Sequence, residues 1–194
     1  MKLYLHMREQ GVTTLGPGSR YCIWVAGCNR RCPGCIAPES HDMTKGDPIE
    51  VSALAWEIIA SGAEGITISG GEPFLQAPAL AELLRIIRRK KEIGVIVYTG
   101  FLLSQLQEDA NAAALLAQTD LLIDGPYIRE LDDGKSLRGS SNQQVYPLTD
   151  RYQKDLHLYG ADGRQTQTFY HGAYVHHTGI PTDSKYHYQE EYIL

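Results

Sequence analysis

The chain has 194 residues, four cysteines and a formal net charge of −5. This length suits one α/β domain with a sizeable core, and its mixed charges form no footprint for nucleic acid. No apolar stretch approaches the roughly 20 residues that span a bilayer, and the first residues lack the apolar region of a signal peptide. We therefore expect no nucleic acid and no membrane partner, and a reducing, cytoplasmic setting for the cysteines.

The early part of the chain predicts two strands and a helix. Residues 2–8 alternate in polarity, which predicts a short strand, and a loop follows from Gly11 to Ser19. The apolar run Tyr21–Ala26 predicts a buried strand. The segment 47–50 has the pattern of a capping box with proline at the first helical position, so it predicts the start of a helix that ends near Ser61.

The middle of the chain continues the alternation of apolar strands and amphipathic helices. Apolar strands separated by helices predict a parallel sheet with right-handed crossovers. In such sheets, functional residues gather at the carboxyl ends of the strands. The predicted elements are a strand at Gly65–Ser69, a helix from Pro78, a strand at Gly94–Tyr98, a helix from Ser104 through Leu116 and a strand at Leu121–Ile123.

Three cysteines follow the first buried strand at the spacing C-x3-C-x2-C: Cys28, Cys32 and Cys35. A short loop with this spacing can direct three thiolates at one point, and thiolates suit an iron-rich centre. Three cysteines would leave one iron of a [4Fe–4S] cluster without a protein ligand, where a small molecule can bind. A zinc site completed by His41 is an alternative, as are three unrelated buried cysteines. The fourth, Cys22, lies inside the strand and is interpreted as a core residue.

A second motif follows the strand that ends at Ser69. It reads Gly70-Gly71-Glu72-Pro73 and, taken alone, is also compatible with an ordinary strand-to-helix turn. The cysteine loop, this motif and two later pairs all follow predicted strands, so they would meet at one edge of the sheet. The two later pairs are Thr99-Gly100 and Asp124-Gly125. This convergence predicts a single active site.

The chain changes character from about residue 145 onward. This part holds eight of the twelve tyrosines and five of the seven histidines. We expect a first domain over residues 1–145 and a β-rich extension over residues 146–194, with a turn at 161–163 between strands Leu156–Tyr159 and Gln165–Tyr170. Exposed polar side chains at a sheet edge are the favoured interpretation of its histidines, and a metal site is the alternative. The histidines concerned are His171, His176, His177 and His187.

The cysteine loop and the Gly-Gly-Glu-Pro motif together resemble the radical S-adenosylmethionine (SAM) superfamily. Within it, the chain resembles the activating proteins of the anaerobic ribonucleotide reductase over roughly residues 12–145. We expect a partial (β/α) barrel with a mostly parallel sheet. The motifs that carry the resemblance are Gly16–Arg20, Ala26–Cys28, Cys32–Cys35, Ile68–Pro73, Tyr98–Gly100, Leu122–Gly125 and Arg138–Gln143.

The resemblance implies a set of ligands and a reaction. Cys28, Cys32 and Cys35 would hold three irons of a [4Fe–4S] cluster, and the methionine end of SAM would bind the fourth. Reductive cleavage of SAM would give methionine and a 5′-deoxyadenosyl radical, which takes a hydrogen atom from a glycine of the partner enzyme. The partner implied is the anaerobic ribonucleotide reductase, with flavodoxin or ferredoxin as electron donor by analogy.

The resemblance also assigns residues that bind SAM. Gly70, Gly71 and Glu72 would hold its amino group, since carbonyls and a carboxylate suit an ammonium. Asp124 faces the site or only ends its strand, and Arg138 meets the SAM carboxylate or the partner, or holds its own turn. The remaining cofactor-binding candidates are Ser69 and Thr99.

The chain departs from many radical SAM enzymes at two positions. Gly34 stands before the third cysteine, where many relatives have an aromatic residue that touches the adenine, so Ile36 becomes a candidate for that contact. Pro126 stands where some relatives have a lysine. A radical SAM enzyme with a small-molecule substrate, similar to the deazaguanine-forming synthases, is a competing interpretation, against which the Arg138–Gln143 motif argues. A non-catalytic electron-transfer protein and a zinc-binding module are further alternatives.

Overall fold

The computed structural model describes residues 1–182 and 191–192. Its central element is a seven-stranded sheet in which four neighbouring strands run parallel and the outer pairings are antiparallel. The spatial order is β3-β1-β2-β4-β5-β6-β7. The strands are β1 (Lys2–Val12), β2 (Arg20–Val25), β3 (Asp47–Glu50), β4 (Gly65–Gly70), β5 (Gly94–Tyr98), β6 (Leu121–Asp124) and β7 (Gln144–Pro147).

Helices pack against the sheet to form the main core. Leu54 and Ile58 from the first helix and Leu80 and Leu83 from the second join one buried cluster with alternate residues of the strands, such as Ile68. This pattern follows from helical spacing on one side and period-two alternation on the other. The helices are α1 (Val51–Ala60), α2 (Ala77–Arg88), α3 (Leu103–Glu108) and α4 (Ala110–Leu116).

The C-terminal part of the chain covers a different region of the sheet. Tyr152, which lies in a 3-10 helix over Asp150–Leu158, packs against the buried residues Ile96, Leu121 and Ile123. Beyond it, three antiparallel strands form a separate small sheet. These strands are β8 (Thr166–His171), β9 (Tyr174–Gly179) and β10 (Glu191–Tyr192).

The predicted α/β class is confirmed, with a mostly parallel central sheet and a small C-terminal sheet. The curvature of a partial barrel and the domain division at residue 145 stay predictions; β7 lies across that position. Among the described residues, no helix has the length and apolar character needed to cross a membrane.

The predicted start of a helix at residues 47–50 is wrong. This segment is β3, and it pairs antiparallel with residues 2–5 of β1. Pro48 is tolerated because β3 is an edge strand, where a missing N–H costs little. The helix begins one residue later, at Val51. Pairing with a distant strand therefore overrode a local capping pattern.

Two further predictions about elements are wrong. The helix predicted from Ser104 through Leu116 is two helices, because Asp109 has an extended backbone and its side chain caps α4 at Asn111. The strand predicted at Leu156–Tyr159 belongs mostly to the 3-10 helix. Tyr152, Leu156 and Tyr159 recur at helical spacing and pack on the same buried cluster. The strand β7 was not predicted.

A buried cation joins several of these elements. Arg20, at the start of β2, has a side chain that is 1% exposed. Its guanidinium donates to the Thr67 hydroxyl, to the carbonyls of Pro17 (2.9 Å) and Ile66 (2.6 Å), and to the Tyr152 hydroxyl (3.1 Å). These acceptors are uncharged, so dipoles stabilise the buried charge. Arg20 thus links the loop before β2, strand β4 and the C-terminal part of the chain.

We expect Arg20→Met to lower the free energy of unfolding by at least about 3 kcal/mol, since each hydrogen bond from a charged donor contributes about 1.5–3 kcal/mol. Arg8→Met is the matched control, because Arg8 lies on β1, pairs with Glu57 and is 40% exposed in its side chain. Its loss should cost at most about 1 kcal/mol. Urea denaturation followed by circular dichroism measures both, and equal losses would contradict the role assigned to Arg20.

Candidate active site

The three clustered cysteines lie in a loop that leaves β2 at the edge of a large cavity. Cys28, Cys32 and Cys35 are half-buried and line this cavity, which has a volume of about 1330 Å³. Gly27 has a φ of +92°, a conformation that favours glycine, and turns the chain out of the strand. The amide of Cys28 then donates to the carbonyl of His41 (3.1 Å).

The three cysteines come together at one wall of the cavity, where the amide of Cys35 donates to the carbonyl of Cys32 (3.0 Å). Three thiols beside an open cavity suit a multi-iron cluster with one iron left to a small ligand. The zinc site completed by His41 stays an alternative prediction.

Two of the cysteine thiols have pKa values above the ordinary value. Burial raises the pKa of the Cys35 thiol above its ordinary value. Burial also raises the pKa of Cys22, to about 12. Cys22 is 1% exposed and packs with Val12 and Leu15, so its prediction as a core residue is confirmed.

The Gly-Gly-Glu turn at the end of β4 packs directly on the end of β2, where the chain enters the cysteine loop. The amide of Gly71 donates to the carbonyl of Val25, and the amide of Glu72 donates to the carbonyl of Gly27, both at 2.8 Å. A Cβ atom at Gly71 would collide with that same Gly27 carbonyl oxygen. Only a glycine therefore allows the two loops to approach this closely.

The Glu72 carboxylate lies inside the protein, where it joins the ends of β4 and β5. Its side chain is 1% exposed. It accepts hydrogen bonds from the Thr99 hydroxyl (2.8 Å) and from the amides of Gly100 (2.8 Å) and Phe74 (3.0 Å). Burial raises the pKa of Glu72, and these hydrogen bonds oppose that change. The carboxylate thus fixes the geometry of both strand ends around the cavity.

The cavity brings together most of the predicted site residues. The three cysteines share it with five of the seven predicted cofactor-binding residues. Their roles toward a cofactor stay predictions. The five residues are Ser69, Gly70, Gly71, Glu72 and Thr99.

Asp124 and Arg138 make their contacts within the fold and are not among the residues that line the cavity. Asp124 is 1% exposed, and its carboxylate accepts a hydrogen bond from the amide of Leu103 (2.6 Å) at the start of α3. Arg138 forms an ion pair with Asp133. Both contacts match the structural interpretations that the sequence left open.

The Arg138–Gln143 motif holds the turn after β6. The side chain of Gln143 accepts from the amide of Gly139 (2.7 Å) and donates to the carbonyl of Gly125 (2.9 Å). The amide side chain of Asn142 donates to the carbonyl of Pro126 (2.8 Å). Since Gly125, Gly139 and Gln143 line the cavity, the motif shapes its wall.

Arg30 is a cavity residue that the sequence analysis missed. It lies between the first two cysteines, and its guanidinium stands 4.9 Å from the centre of the Phe101 ring. Its Nε atom is buried and has no hydrogen-bond partner in the structure. Its charge also lowers the pKa of Glu72. Its position between the first two cysteines was the only feature of the sequence that could have indicated a place in the cavity. Ile36 lines the same cavity.

The family model described as a 4Fe-4S single cluster domain matches residues 14–146. The fold and the site accordingly define an iron–sulfur enzyme of the radical SAM superfamily. The chain is 32% identical over 145 residues to the anaerobic ribonucleoside-triphosphate reductase-activating protein of Vibrio cholerae, covering 69% of this chain and 91% of that protein.

Two further relatives carry the same description. That of Escherichia coli K12 is 31% identical over 144 residues, covering 69% of this chain and 91% of that protein. That of phage T4 is 30% identical over 141 residues, covering 70% and 88%. The chain belongs to the family of anaerobic ribonucleoside-triphosphate reductase-activating proteins, as its motifs predicted.

We expect Gly71→Ala to bind less iron per chain than the wild type after anaerobic reconstitution, because the new methyl group would displace the cysteine loop. Gly62→Ala is the control, since no atom lies within 4 Å of its Cβ position. Its φ of +73° costs only about 1–2 kcal/mol of strain. Iron analysis of the folded proteins measures the difference, and equal iron content would contradict the prediction.

We expect Thr99→Val to lower the free energy of unfolding by about 1–3 kcal/mol at neutral pH, because the buried Glu72 carboxylate loses a donor. Loss of this donor raises the pKa of Glu72 in the folded variant further. The stability difference between wild type and variant is therefore full at pH values above that pKa. It becomes smaller as the pH falls through that pKa, because the carboxyl group becomes neutral.

Thr44→Val is the matched control for this change. The Thr44 hydroxyl also donates to a carboxylate, that of Asp42 (2.7 Å), but both residues are exposed. Its removal should change stability by less than about 0.5 kcal/mol. Denaturation curves at several pH values compare the variants, and a pH-independent deficit in Thr99→Val would contradict the assigned contact.

Proposed function

We propose that this chain reductively cleaves SAM and generates a glycyl radical on an anaerobic ribonucleoside-triphosphate reductase. One observation carries the proposal: the Gly-Gly-Glu turn is hydrogen-bonded to Val25 and Gly27, which lead into the cysteine loop, and the loop and the turn line one cavity. Relatives that are 30–32% identical carry the name of activating proteins for that reductase. A cluster ligand loop and an ammonium-binding turn in direct contact suit a cofactor that spans both.

The donor set fits a [4Fe–4S] cluster. Cys28, Cys32 and Cys35 would hold three irons, which leaves the fourth for the amino and carboxylate groups of SAM. The bound cluster would supply the chemistry of reductive SAM cleavage, passing on one electron from an external donor, so that a hydrogen atom is removed from a glycine of the reductase and methionine and 5′-deoxyadenosine are formed. The protein's part is to bind, orient and shield these groups.

We assign the methionine end of SAM to residues at the ends of β2, β4 and β5. The backbone of Gly70 and Gly71 binds the amino group, and the buried charge of Glu72 adds a favourable potential for an ammonium. Arg30 suits the carboxylate, because its guanidinium lines the cavity and carries a buried nitrogen without a partner. Ser69 and Thr99 complete this wall, and Ile36 supplies apolar surface for the adenine.

The cavity has room for a protein substrate as well as SAM. Its volume of about 1330 Å³ exceeds the roughly 300–1,000 Å³ of typical small-ligand pockets. We propose that a glycine-bearing loop of the reductase enters it. The electron would come from a flavodoxin or ferredoxin in the reducing cytoplasm. Arg138 and Asp124 act by holding the cavity wall.

The test is formation of 5′-deoxyadenosine by the reconstituted protein under anaerobic conditions, with SAM and a strong reductant. We expect product from the wild type and from Cys22→Ala, because Cys22 is a core residue outside the cluster loop. We expect none from Cys32→Ala, which removes a cluster ligand. Cys22 provides a matched cysteine control for any general effect of losing a thiol.

A second measurement tests the partner. Electron paramagnetic resonance of the wild type mixed with an anaerobic ribonucleoside-triphosphate reductase should reveal a glycyl radical that depends on SAM, and Cys32→Ala should give no signal. Absence of both 5′-deoxyadenosine and the radical from an iron-replete wild type, with the reductase present, would overturn the proposed function. Product without a radical would overturn the choice of partner alone.

A further inference from the structure

A second group of metal-ligating side chains lies where the small C-terminal sheet meets β1. Glu9 of β1 is buried, with 6% exposure, and its Oε2 atom lies 2.5 Å from Nε2 of His171. The same oxygen lies 3.7 Å from Nδ1 of His176. All three ligand atoms lie within 4.8 Å of one another. These residues come from three strands and from opposite ends of the chain.

The hydrogen bonding of this group is incomplete. Nδ1 of His176 is buried and has no hydrogen-bond partner in the structure. A buried polar atom without a partner costs free energy and calls for an explanation. The neighbouring His177 differs, because its Nδ1 lies 3.0 Å from the Thr168 hydroxyl. Nδ1 of His176 therefore lies next to the buried carboxylate of Glu9 without a hydrogen bond of its own.

We propose that Glu9, His171 and His176 bind a divalent transition-metal ion, with Zn²⁺ as the preferred ion. Two imidazole nitrogens and one carboxylate are ligands that suit zinc, whereas magnesium and calcium prefer oxygen ligands alone. A metal at this point would use the free nitrogen of His176 and the negative charge of Glu9. Water or substrate could take the remaining coordination position.

The metal would fasten the C-terminal sheet to the central sheet. Other contacts join these parts nearby: the Gln167 side chain accepts from the amide of Thr13 (3.0 Å) and donates to the carbonyl of Gly11 (3.1 Å), and the hydroxyls of Thr14 and Thr178 lie 3.2 Å apart. The metal site would lie in the wall of the cavity that also holds the cysteines. It does not depend on the function proposed above, because metal binding here needs neither SAM nor the partner.

The sequence alone did not assemble this site. His171 and His176 were among four histidines considered for a metal, yet Glu9 precedes His171 by 162 residues. Of the other two histidines, His177 contacts Thr168, and His187 lies outside the described residues.

The experiment uses the full chain with its iron–sulfur cluster loaded, so that the clustered cysteines are occupied. The protein is titrated anaerobically with Zn²⁺, and native mass spectrometry measures how many zinc ions each chain binds. Co²⁺ replaces Zn²⁺ as a spectroscopic probe in a parallel titration. We expect one Zn²⁺ per chain beyond the cluster iron, and a difference spectrum on addition of Co²⁺ that contains no new thiolate-to-cobalt charge-transfer band. We also expect Zn²⁺ to raise the melting temperature of the wild type.

His171→Ala is the principal variant, because half of its side chain is exposed, and the loss of its hydrogen bond to Glu9 should lower the melting temperature only modestly, which leaves the chain folded. It should weaken Zn²⁺ binding by roughly 10- to 100-fold or more. His177→Ala is the matched control, because His177 is next to His176 in the sequence but is not part of the proposed site. It should bind Zn²⁺ as tightly as the wild type does. Glu9→Gln, which keeps the side-chain shape, should also lose the site.

Three results would overturn the proposal. One is a cluster-loaded wild type that binds no additional Zn²⁺, which would leave a metal-free hydrogen bond between Glu9 and His171. Another is equal affinity in the wild type and in His171→Ala. The third is a difference spectrum with new thiolate-to-cobalt charge-transfer bands, which would assign the added metal to the cysteines instead.

Discussion

The contact between the cysteine loop and the Gly-Gly-Glu turn is the constraint on which the site depends. Two parallel neighbouring strands, β2 and β4, end at the same edge, and the amides of Gly71 and Glu72 donate to carbonyls of the chain that leaves β2. These hydrogen bonds require a residue without a side chain at Gly71. The Gly-Gly-Glu turn and the start of the cysteine loop thereby hold one another in a fixed relative position.

Buried charges then fix this arrangement within the sheet. At the carboxyl ends of the strands, the Glu72 carboxylate accepts three hydrogen bonds and joins the end of β4 to the end of β5. At the start of β2, the Arg20 guanidinium contacts β4 and the C-terminal Tyr152 through uncharged acceptors. Both charges are almost fully buried, and a buried charge without hydrogen-bond partners would cost much free energy. Each charge therefore holds the backbone segments that supply its partners in place.

The C-terminal part of the chain contributes to the cavity as well as to packing. Arg164, whose side chain is 2% exposed, pairs with Asp132 and donates to the carbonyls of Arg138 and Gly139. It thus supports the loop that the Arg138–Gln143 motif forms after β6. Glu9, His171 and His176 lie in the same cavity wall. The C-terminal part of the chain therefore forms part of the wall of the same cavity as the cysteines.

The parallel strands, the cysteine loop and the Gly-Gly-Glu turn could all be predicted from local sequence patterns. Each is written in neighbouring residues, either as a run of apolar side chains or as a fixed spacing of cysteines and glycines. The carboxyl-end rule for parallel sheets then predicted that these segments meet at one edge. The family resemblance followed from the same local motifs.

Tertiary structure alone decided the features that join distant segments. Residues 47–50 carry a local helix-start pattern but form a strand, because pairing with residues 2–5 satisfies their backbone. Asp124 contacts α3 instead of lining the cavity, and Arg30 lies over Phe101. Glu9 meets two histidines from the other end of the chain. Burial and long-range pairing select such contacts, and no local pattern encodes which distant residue will be the partner.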